Sequence, residues 1–291
     1  MSDETVRQLS LGGERYAYRV LRQSSPRTHP ILLLGGVFQG VHGWPGIDEE
    51  LASVADVITM DFPLHEAEPD GPGAPTTACR AVEQVVDDLG VERINLFGYS
   101  YGSVIAHQYA QRHPRHVARL LLGGVPSDVS PFRHRAERLV ALVRAGREQE
   151  FATLLTETMV CMDPEKQVPH RELVHRIFRR TVLQNLRTPD ALAVLRRLFG
   201  TQAVATGALA GVPTLVFGAE HDSLTPVAQQ RAFAATIDDC SFVVLDSADH
   251  LILLERPAEV AALALRHFGA DSFSGARHRV PALAGPGVPP P

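Results

Sequence analysis

The chain has 291 residues, of which 45% are hydrophobic and 21% are charged, and its formal net charge is -5 at pH 7. This apolar content is enough to bury a large core and excludes a globally disordered chain. The negative balance and the lack of basic runs argue against a nucleic-acid-binding protein. No apolar run reaches membrane-spanning length and the polar start has no secretory core, which predicts a soluble cytoplasmic protein.

The N-terminal half alternates predicted strands with predicted helices. Two short strands within 7–22 flank Gly12-Gly13, which is typical of a hairpin. Continuous apolar runs predict strands buried on both faces at 31–34, 54–60, 94–99 and 117–124. Helical spacing of apolar residues predicts helices at 44–52, 76–89 and 100–111. The alternation predicts an α/β fold with a mostly parallel, doubly wound sheet and helices on both faces.

The segment 131–207 has a different character. Its apolar spacing predicts helices at 136–145, 150–159, 171–186 and 189–199. Thirteen basic and eight acidic residues give it a charge of +5 in a chain that is negative overall. We expect an inserted helical cap, or lid, over the sheet. Its charge favours either an anionic substrate or carrier, or simply a solvated helix surface.

The strand and helix pattern resumes after the cap. Strands are predicted at 212–218 and 241–245, with helices at 226–235 and 257–268. The sequence therefore divides into a core of residues 1–130 and 208–268, the cap, and a tail. The tail, 269–291, is rich in Gly, Pro and Ala and is predicted to be disordered. The three cysteines form no CxxC pair or metal pattern, and we expect buried free thiols at Cys79, Cys161 and Cys240.

The most informative motif is Gly98-Tyr99-Ser100-Tyr101-Gly102, which follows an apolar run and precedes a helical pattern. This context predicts a sharp turn from strand to helix with Ser100 exposed at the turn. Glycines are needed on either side because side chains there would meet the neighbouring strand and helix. The helix that follows directs free N–H groups and a positive dipole end toward an oxyanion at Ser100.

A second glycine pair, Gly35-Gly36, ends the buried run at 31–34 and lets the backbone turn tightly. In a serine hydrolase such a turn exposes one of two backbone N–H donors to the oxyanion. We assign this donor to Val37, with its neighbour Phe38 as the alternative, and the other donor to Tyr101. A dinucleotide-binding loop needs Gly-x-Gly-x-x-Gly, and the glycine spacing here does not fit it.

Three groups with complementary chemistry follow three predicted parallel strands, in the order Ser100, Asp222 and His250. A serine hydroxyl is too weakly acidic to attack a carbonyl unaided. His250 would take its proton and later return it to the leaving group, while Asp222 would hold the imidazole in the right tautomer.

Other residues compete for these roles. Asp128 follows the strand 117–124 and is the alternative acid. Asp249 adjoins His250 and is expected to point away from it. His221 is the rival base beside the proposed acid, and Ser103 is expected to be a helix residue rather than the nucleophile.

Taken together, these motifs resemble the α/β-hydrolase superfamily over residues from about 15 to 268. The matching segments are Gly35-Gly36 with Trp44 downstream, Gly98-Tyr99-Ser100-Tyr101-Gly102, Phe217-Gly218-Ala219-Glu220-His221-Asp222 and Ala248-Asp249-His250. Many members carry His-Gly where this chain has Gly35-Gly36, so a side chain that often braces the loop is missing. The resemblance implies hydrolysis of an ester, thioester, lactone or amide through an acyl-enzyme, with no cofactor and no metal.

A looser resemblance links the chain to bacterial hydroxyacyl transferases of the same fold. It rests on the strand ending in Gly-Gly and on Asp61-Phe62-Pro63, Leu154-Leu155-Thr156-Glu157-Thr158 and Cys240-Ser241-Phe242. Transfer of an acyl group from a carrier protein or coenzyme A to an alcohol or thiol is therefore the alternative function. A non-catalytic binding protein on the same fold is a third hypothesis, against which the intact set of three residues counts. The sequence does not indicate an oligomeric state.

Overall fold

The computed structural model describes residues 3–44, 46–63, 76–188, 190–200, 209 and 211–269. One sheet organises these residues, with strand order β1-β2-β4-β3-β5-β6-β7-β8. The strands are β1 (Asp3–Leu11), β2 (Glu14–Arg22), β3 (Ile31–Leu34), β4 (Val57–Met60), β5 (Ile94–Tyr99), β6 (Val117–Gly123), β7 (Thr214–Ala219) and β8 (Cys240–Leu245). The β1–β2 and β2–β4 pairs are antiparallel, and the strands from β4 to β8 pair in parallel. The carboxyl ends of the parallel strands therefore meet at one edge, where ligands bind in such sheets.

Helices cover both faces of the sheet. They are α1 (Ile47–Leu51), α2 (Thr77–Leu89), α3 (Tyr101–Arg112), α4 (Ser130–Arg144), α5 (Glu148–Met159), α6 (Arg171–Leu186), α7 (Ala191–Gly200), α8 (Val227–Ala234), α9 (Ile252–Glu255) and α10 (Pro257–Phe268). One apolar cluster packs α2, α3 and α8 against the sheet, and a second packs α1 and α10 against the opposite face. The predicted α/β-hydrolase fold with a mostly parallel sheet is confirmed.

A third apolar cluster lies over the carboxyl ends of the strands. It joins α4, α5, α6 and α7 to the loops that follow β3, β7 and β8, including Leu224 and Leu251. We call α4–α7 the helical segment. Its helices lie between β6 and β7 in the chain, so this insertion covers the edge of the sheet where a site is expected. The predicted loop at 64–75, the end of the cap at 201–207 and the tail at 270–291 lie outside the described residues.

The structure corrects several predicted boundaries. Helix α1 starts at Ile47 rather than 44, because Trp44 is buried in the preceding loop and Gly46 takes a positive φ of 79° before the first turn. Strand β4 starts at Val57, because residues 52–55 form a turn after α1. The four-residue helix α9, directly after His250, is too short for a period to show in the sequence.

The cysteine prediction is right for two of the three thiols. Cys79 and Cys161 are buried and free, whereas Cys240 is only half-buried. Cys240 begins β8, which is the edge strand of the sheet and is not enclosed by a further strand. Among the described residues no helix combines the length and apolarity needed to cross a bilayer.

Candidate active site

Ser100 lies at a strained turn between β5 and α3. Its φ of 52° and ψ of -118° lie outside the regions that ordinary residues occupy. A Cβ at Gly102 would lie 2.0 Å from the carbonyl oxygen of Leu34, and one at Gly98 would lie 2.6 Å from the Cβ of Ala106. Close packing of the turn against β3 and α3 therefore requires both glycines, and it fixes where the serine hydroxyl projects.

The structure brings Ser100, His250 and Asp222 into one chain of contacts. The Oγ of Ser100 lies 3.0 Å from Nε2 of His250, and Nδ1 of His250 lies 2.8 Å from Oδ2 of Asp222. The side chains of His250 and Asp222 are almost fully buried, at 4% and 1% exposure. The carboxylate fixes the tautomer in which Nδ1 carries the proton, so Nε2 is left to accept from the serine hydroxyl.

Asp222 is itself held by three further hydrogen bonds. Its Oδ1 accepts from the amides of Leu224 and Thr225, at 2.9 and 2.7 Å. The hydroxyl of Thr225 donates to Oδ2 at 2.6 Å. Gln230 donates from Nε2 to the carbonyl of Thr225 at 2.7 Å and so anchors the turn to α8. Sequence analysis missed Thr225, although an Asp three residues before a Thr at a helix start is a recognisable turn pattern.

His250 is also restrained from its other side. The hydroxyl of Tyr99 donates to the carbonyl of His250 at 2.7 Å, and the two rings lie 5.7 Å apart. Burial alone would lower the pKa of the imidazole, but the adjacent Asp222 carboxylate raises it, and the net direction is upward from 6.5. The protonated imidazole that a proton relay needs is therefore stabilised in this site.

The rival residues occupy other places. Asp128 lies on the wall of the same cavity, where it accepts from Nε2 of Gln229 at 3.2 Å. Ser103 is fully buried in α3 and donates to the carbonyl of Ser100 at 2.6 Å. His221 lies 3.6 Å from Glu220, on the loop that carries Asp222. Of the two candidate acids, Asp128 and Asp222, only Asp222 contacts the imidazole of His250 among the described residues.

The loop after β3 lies beside Ser100 and contains the predicted oxyanion donor. A Cβ at Gly36 would lie 3.6 Å from the Cβ of Ser100, so the Gly36-Val37 backbone passes directly over the serine. The amide of Gly36 donates to Oε1 of Gln39 at 2.6 Å, and Nε2 of Gln39 donates to the carbonyl of Gly43 at 2.9 Å. Val37 follows with no hydrogen bond to its amide among the described residues.

Gln39 was not identified from the sequence, and it supplies a brace for the loop at Gly35-Gly36. A Cβ at Gly35 would lie 2.6 Å from the Cβ of Gln39, so the space that a larger residue would take is filled by the glutamine. Gln39 therefore braces the loop after β3 from within the loop itself, in place of a side chain at the end of β3.

Above these groups lies a cavity of about 340 Å³. Its floor includes Ser100 and His250, and its upper wall comes from the helical segment. The apolar side chains that line it include Val37, Phe38, Met159, Ile177, Phe178, Leu198, Leu224, Leu251, Leu253 and Leu254. Such a cavity fits an apolar group attached to a polar reacting centre at its floor. Among the described residues no cluster of His, Cys, Asp and Glu is arranged to hold a metal ion.

A further pair of buried carboxyl groups, Asp249 and Glu255, lies where the loop that carries His250 meets the helical segment. Asp249 is fully buried and points away from His250, as expected; its carboxylate accepts from the amides of Cys161 and Leu251 at 2.6 and 2.9 Å. The amide of Asp249 donates to Oε2 of Glu255 at 3.0 Å. Burial raises the pKa of Glu255 to about 8, and the nearby Asp249 charge adds to the shift.

Replacing Glu255 with glutamine is expected to flatten the pH dependence of stability. The folded state holds a proton on Glu255 that the unfolded chain releases above its usual pKa of 4.5. The stabilisation is therefore complete below 4.5 and is lost as the pH rises through about 8. Glutamine mimics the protonated acid at every pH, so thermal melts of the variant should lose fewer degrees across this range. The exposed Glu259→Gln variant is the control, and parallel slopes for all three proteins would contradict the prediction.

Comparison with known proteins defines the class. The family model for the alpha/beta hydrolase fold matches residues 29–257, so the chain belongs to this family. Monoacylglycerol lipase abhd6-B of Xenopus laevis is 20% identical over 89% of this chain and 80% of its own length. The poly(3-hydroxyalkanoate) depolymerase of Ectopseudomonas oleovorans is 21% identical over 91% of this chain and 93% of its own.

Solved structures agree on the fold. MGS-M2, an α/β hydrolase enzyme from a Medee basin deep-sea metagenome library, superposes with a TM-score of 0.72 at 17% identity, covering 94% of this chain and 100% of its own. A thermophilic esterase from Thermogutta terrifontis superposes with a TM-score of 0.67 at 21% identity, covering 90% of this chain and 96% of its own. Family membership and hydrolase relatives support a hydrolase-type enzyme.

Proposed function

We propose that the protein is a serine hydrolase that cleaves an ester, thioester or lactone through an acyl-enzyme on Ser100. The observation that carries this proposal is the chain of contacts from Ser100 Oγ through the His250 imidazole to the Asp222 carboxylate, at 3.0 and 2.8 Å. A buried imidazole placed between a hydroxyl and a carboxylate has the geometry of a nucleophile, its general base and the group that orients the base.

In the proposed reaction His250 removes the proton of Ser100 as the oxygen attacks the carbonyl carbon. The resulting oxyanion is held by backbone amides, which we assign to Val37 and Tyr101, with Phe38 as the alternative in the first position. His250 then gives its proton to the leaving alcohol or thiol as the bond to the acyl carbon breaks. Water, deprotonated by the same imidazole, attacks the acyl-enzyme and releases a carboxylic acid and free Ser100.

The cavity supports a substrate with an apolar acyl group. Its walls are mostly apolar and its volume of about 340 Å³ is in the range of small-molecule sites. Relatives named for ester cleavage support the bond type: a monoacylglycerol lipase, a poly(3-hydroxyalkanoate) depolymerase and a pimeloyl-[acyl-carrier protein] methyl ester esterase. We propose that the helical segment acts as a cap that shapes this acyl site, with the rest of the described chain as the core. Carrier-linked or coenzyme A-linked acyl groups are included in the proposed substrate class.

The test is a product assay with aryl esters, simple acyl thioesters and 3-hydroxyacyl thioesters, with and without a hydroxyl acceptor. Products are identified by mass, and an active-site serine probe is applied to the same preparations. We expect free acid as the main product and probe labelling at Ser100. Acylated acceptor in preference to acid would replace hydrolysis by acyl transfer. Failure of both turnover and labelling would favour a non-catalytic binding protein on this fold.

A further inference from the structure

One face of α6 combines positive charge with exposed apolar side chains. Six exposed residues of the helix and of its C-cap, Arg187, recur at intervals of three or four, which at 100° per residue places them within an arc of about 100°. We call this set the α6 stripe: Leu173, Arg176, Ile177, Arg180, Gln184 and Arg187. The other exposed residue of the helix, Glu172, lies outside this arc. At 1.5 Å per residue the stripe is about 20 Å long. It is therefore an extended surface, and Arg176, Arg180, Gln184 and Arg187 also border an open depression together with His175, Arg179 and Leu183.

The arginines of the stripe are available to an external partner. Within the described residues none of Arg176, Arg180 and Arg187 has a carboxylate partner, whereas Arg179 beside them bonds to the side chains of Gln149 and Thr153. The segment 131–207 carries a charge of +5, while the whole chain carries -5. This asymmetry orients the protein with the helical segment toward a negative surface.

The apolar members of the stripe are unusually exposed for their size. Leu173 is 48% exposed and Ile177 is 42% exposed, among five large hydrophobic residues that stand out in this way. Both lie among the arginines instead of forming a separate patch. A helix face that mixes guanidinium groups with Leu and Ile is typical of helices that lie in the plane of a membrane surface.

The stripe borders the candidate active site. Ile177 lines the cavity above Ser100 as well as being exposed, and its neighbours Phe178 and Thr181 on the same helix line the cavity too. The cavity wall therefore reaches the molecular surface at α6. A molecule that enters past Ile177 passes directly beside the exposed arginines.

We propose that the α6 stripe docks on an anionic lipid surface and holds this side of the cavity against it. Guanidinium groups pair with lipid phosphates, and Leu173 and Ile177 enter the boundary between headgroups and acyl chains. A free small anion would contact only part of a stripe about 20 Å long and would leave Leu173 and Ile177 exposed to water, whereas a lipid surface covers both. The docking surface goes beyond the proposed function, because it requires no chemistry at Ser100.

The test is co-sedimentation of the full chain with vesicles of phosphatidylcholine alone and of phosphatidylcholine mixed with phosphatidylglycerol. We expect binding to the mixed vesicles only, and weaker binding as salt is added. The triple variant Arg176→Gln, Arg180→Gln, Arg187→Gln should bind the mixed vesicles about a hundredfold more weakly. Leu173→Ser should weaken binding by a smaller factor at any salt concentration.

The matched control is Arg27→Gln, Arg115→Gln, Arg266→Gln. These exposed arginines lie near the amino ends of the strands, opposite the cavity, and this variant should bind like the wild type. Melting curves establish that every variant is folded. Equal binding by the two triple variants, or no binding of the wild type to mixed vesicles, would overturn the proposal. Vesicle binding without ester cleavage would support the docking surface while rejecting the proposed function.

Discussion

Replacing Ser100 with alanine is expected to lower kcat/KM for the best ester or thioester substrate by a factor of about 10⁴ to 10⁶. The substitution removes the only side chain that contacts Nε2 of His250 among the described residues, at 3.0 Å. Without the hydroxyl no acyl-enzyme forms, and water must attack the substrate directly. The measurement is steady-state kinetics, with mass spectrometry of the intact protein to detect the acylated form.

Ser103→Ala is the matched control for this variant. Its hydroxyl lies one turn along α3, is fully buried and donates to the carbonyl of Ser100 at 2.6 Å. Losing one such hydrogen bond should reduce activity by no more than about tenfold. Acylation that persists in Ser100→Ala, or an equal loss in Ser103→Ala, would refute the assignment of Ser100 as the nucleophile.

Replacing Asp222 with asparagine is expected to lower kcat by a factor of about 10⁴. Asparagine can present an NH₂ group to Nδ1 of His250, which favours the tautomer with the proton on Nε2. That tautomer cannot accept the proton of Ser100. Asp128→Asn, on the wall of the same cavity, should stay within about tenfold of the wild type. If Asp128→Asn caused the larger loss, the acid would have to be reassigned to the loop after β6.

The wild type and Asp222→Asn are also expected to differ in the pH dependence of kcat/KM. The base must be neutral to accept a proton, so kcat/KM falls as the pH drops through the pKa of His250. Burial lowers this pKa and the Asp222 carboxylate raises it, with a net shift upward from 6.5, so the acid limb of the wild-type profile should lie above 6.5. In Asp222→Asn the raising charge is gone while burial remains, so the limb should move to lower pH. If the acid limb of the profile did not move, His250 would not be the essential base.

The choice between Asp222 and Asp128 shows where sequence analysis ends. Both residues follow parallel strands that are neighbours in the sheet, so both can reach the same edge. The chain order favours Asp222 but does not place either carboxylate. In the structure, amides of the turn after β7 donate to the carboxylate of Asp222 and hold it against Nδ1 of His250. Asp128 instead accepts a hydrogen bond from Gln229 of α8.

The brace of the loop after β3 makes the same point. The sequence shows that Gly35-Gly36 lacks the histidine side chain that braces this loop in many members of the family. The structure shows that Gln39, four residues further on, folds back to the amide of Gly36 and fills the space beside Gly35. A side chain that returns to its own loop has no spacing signature, because the contact depends on the path of the loop between the two residues.

Features that depend on local backbone chemistry could be predicted from the sequence. Apolar runs without alternation specify buried parallel strands, and the glycines around Ser100 specify the turn that exposes it. The packed structure was needed to show which acid contacts His250, how the loop at Val37 is held, and which side chains of α5, α6 and α7 line the apolar cavity above Ser100. The acid contact and the cavity join residues far apart in the chain, so they depend on strand order and helix packing, whereas the Gln39 brace depends on the path of its own loop.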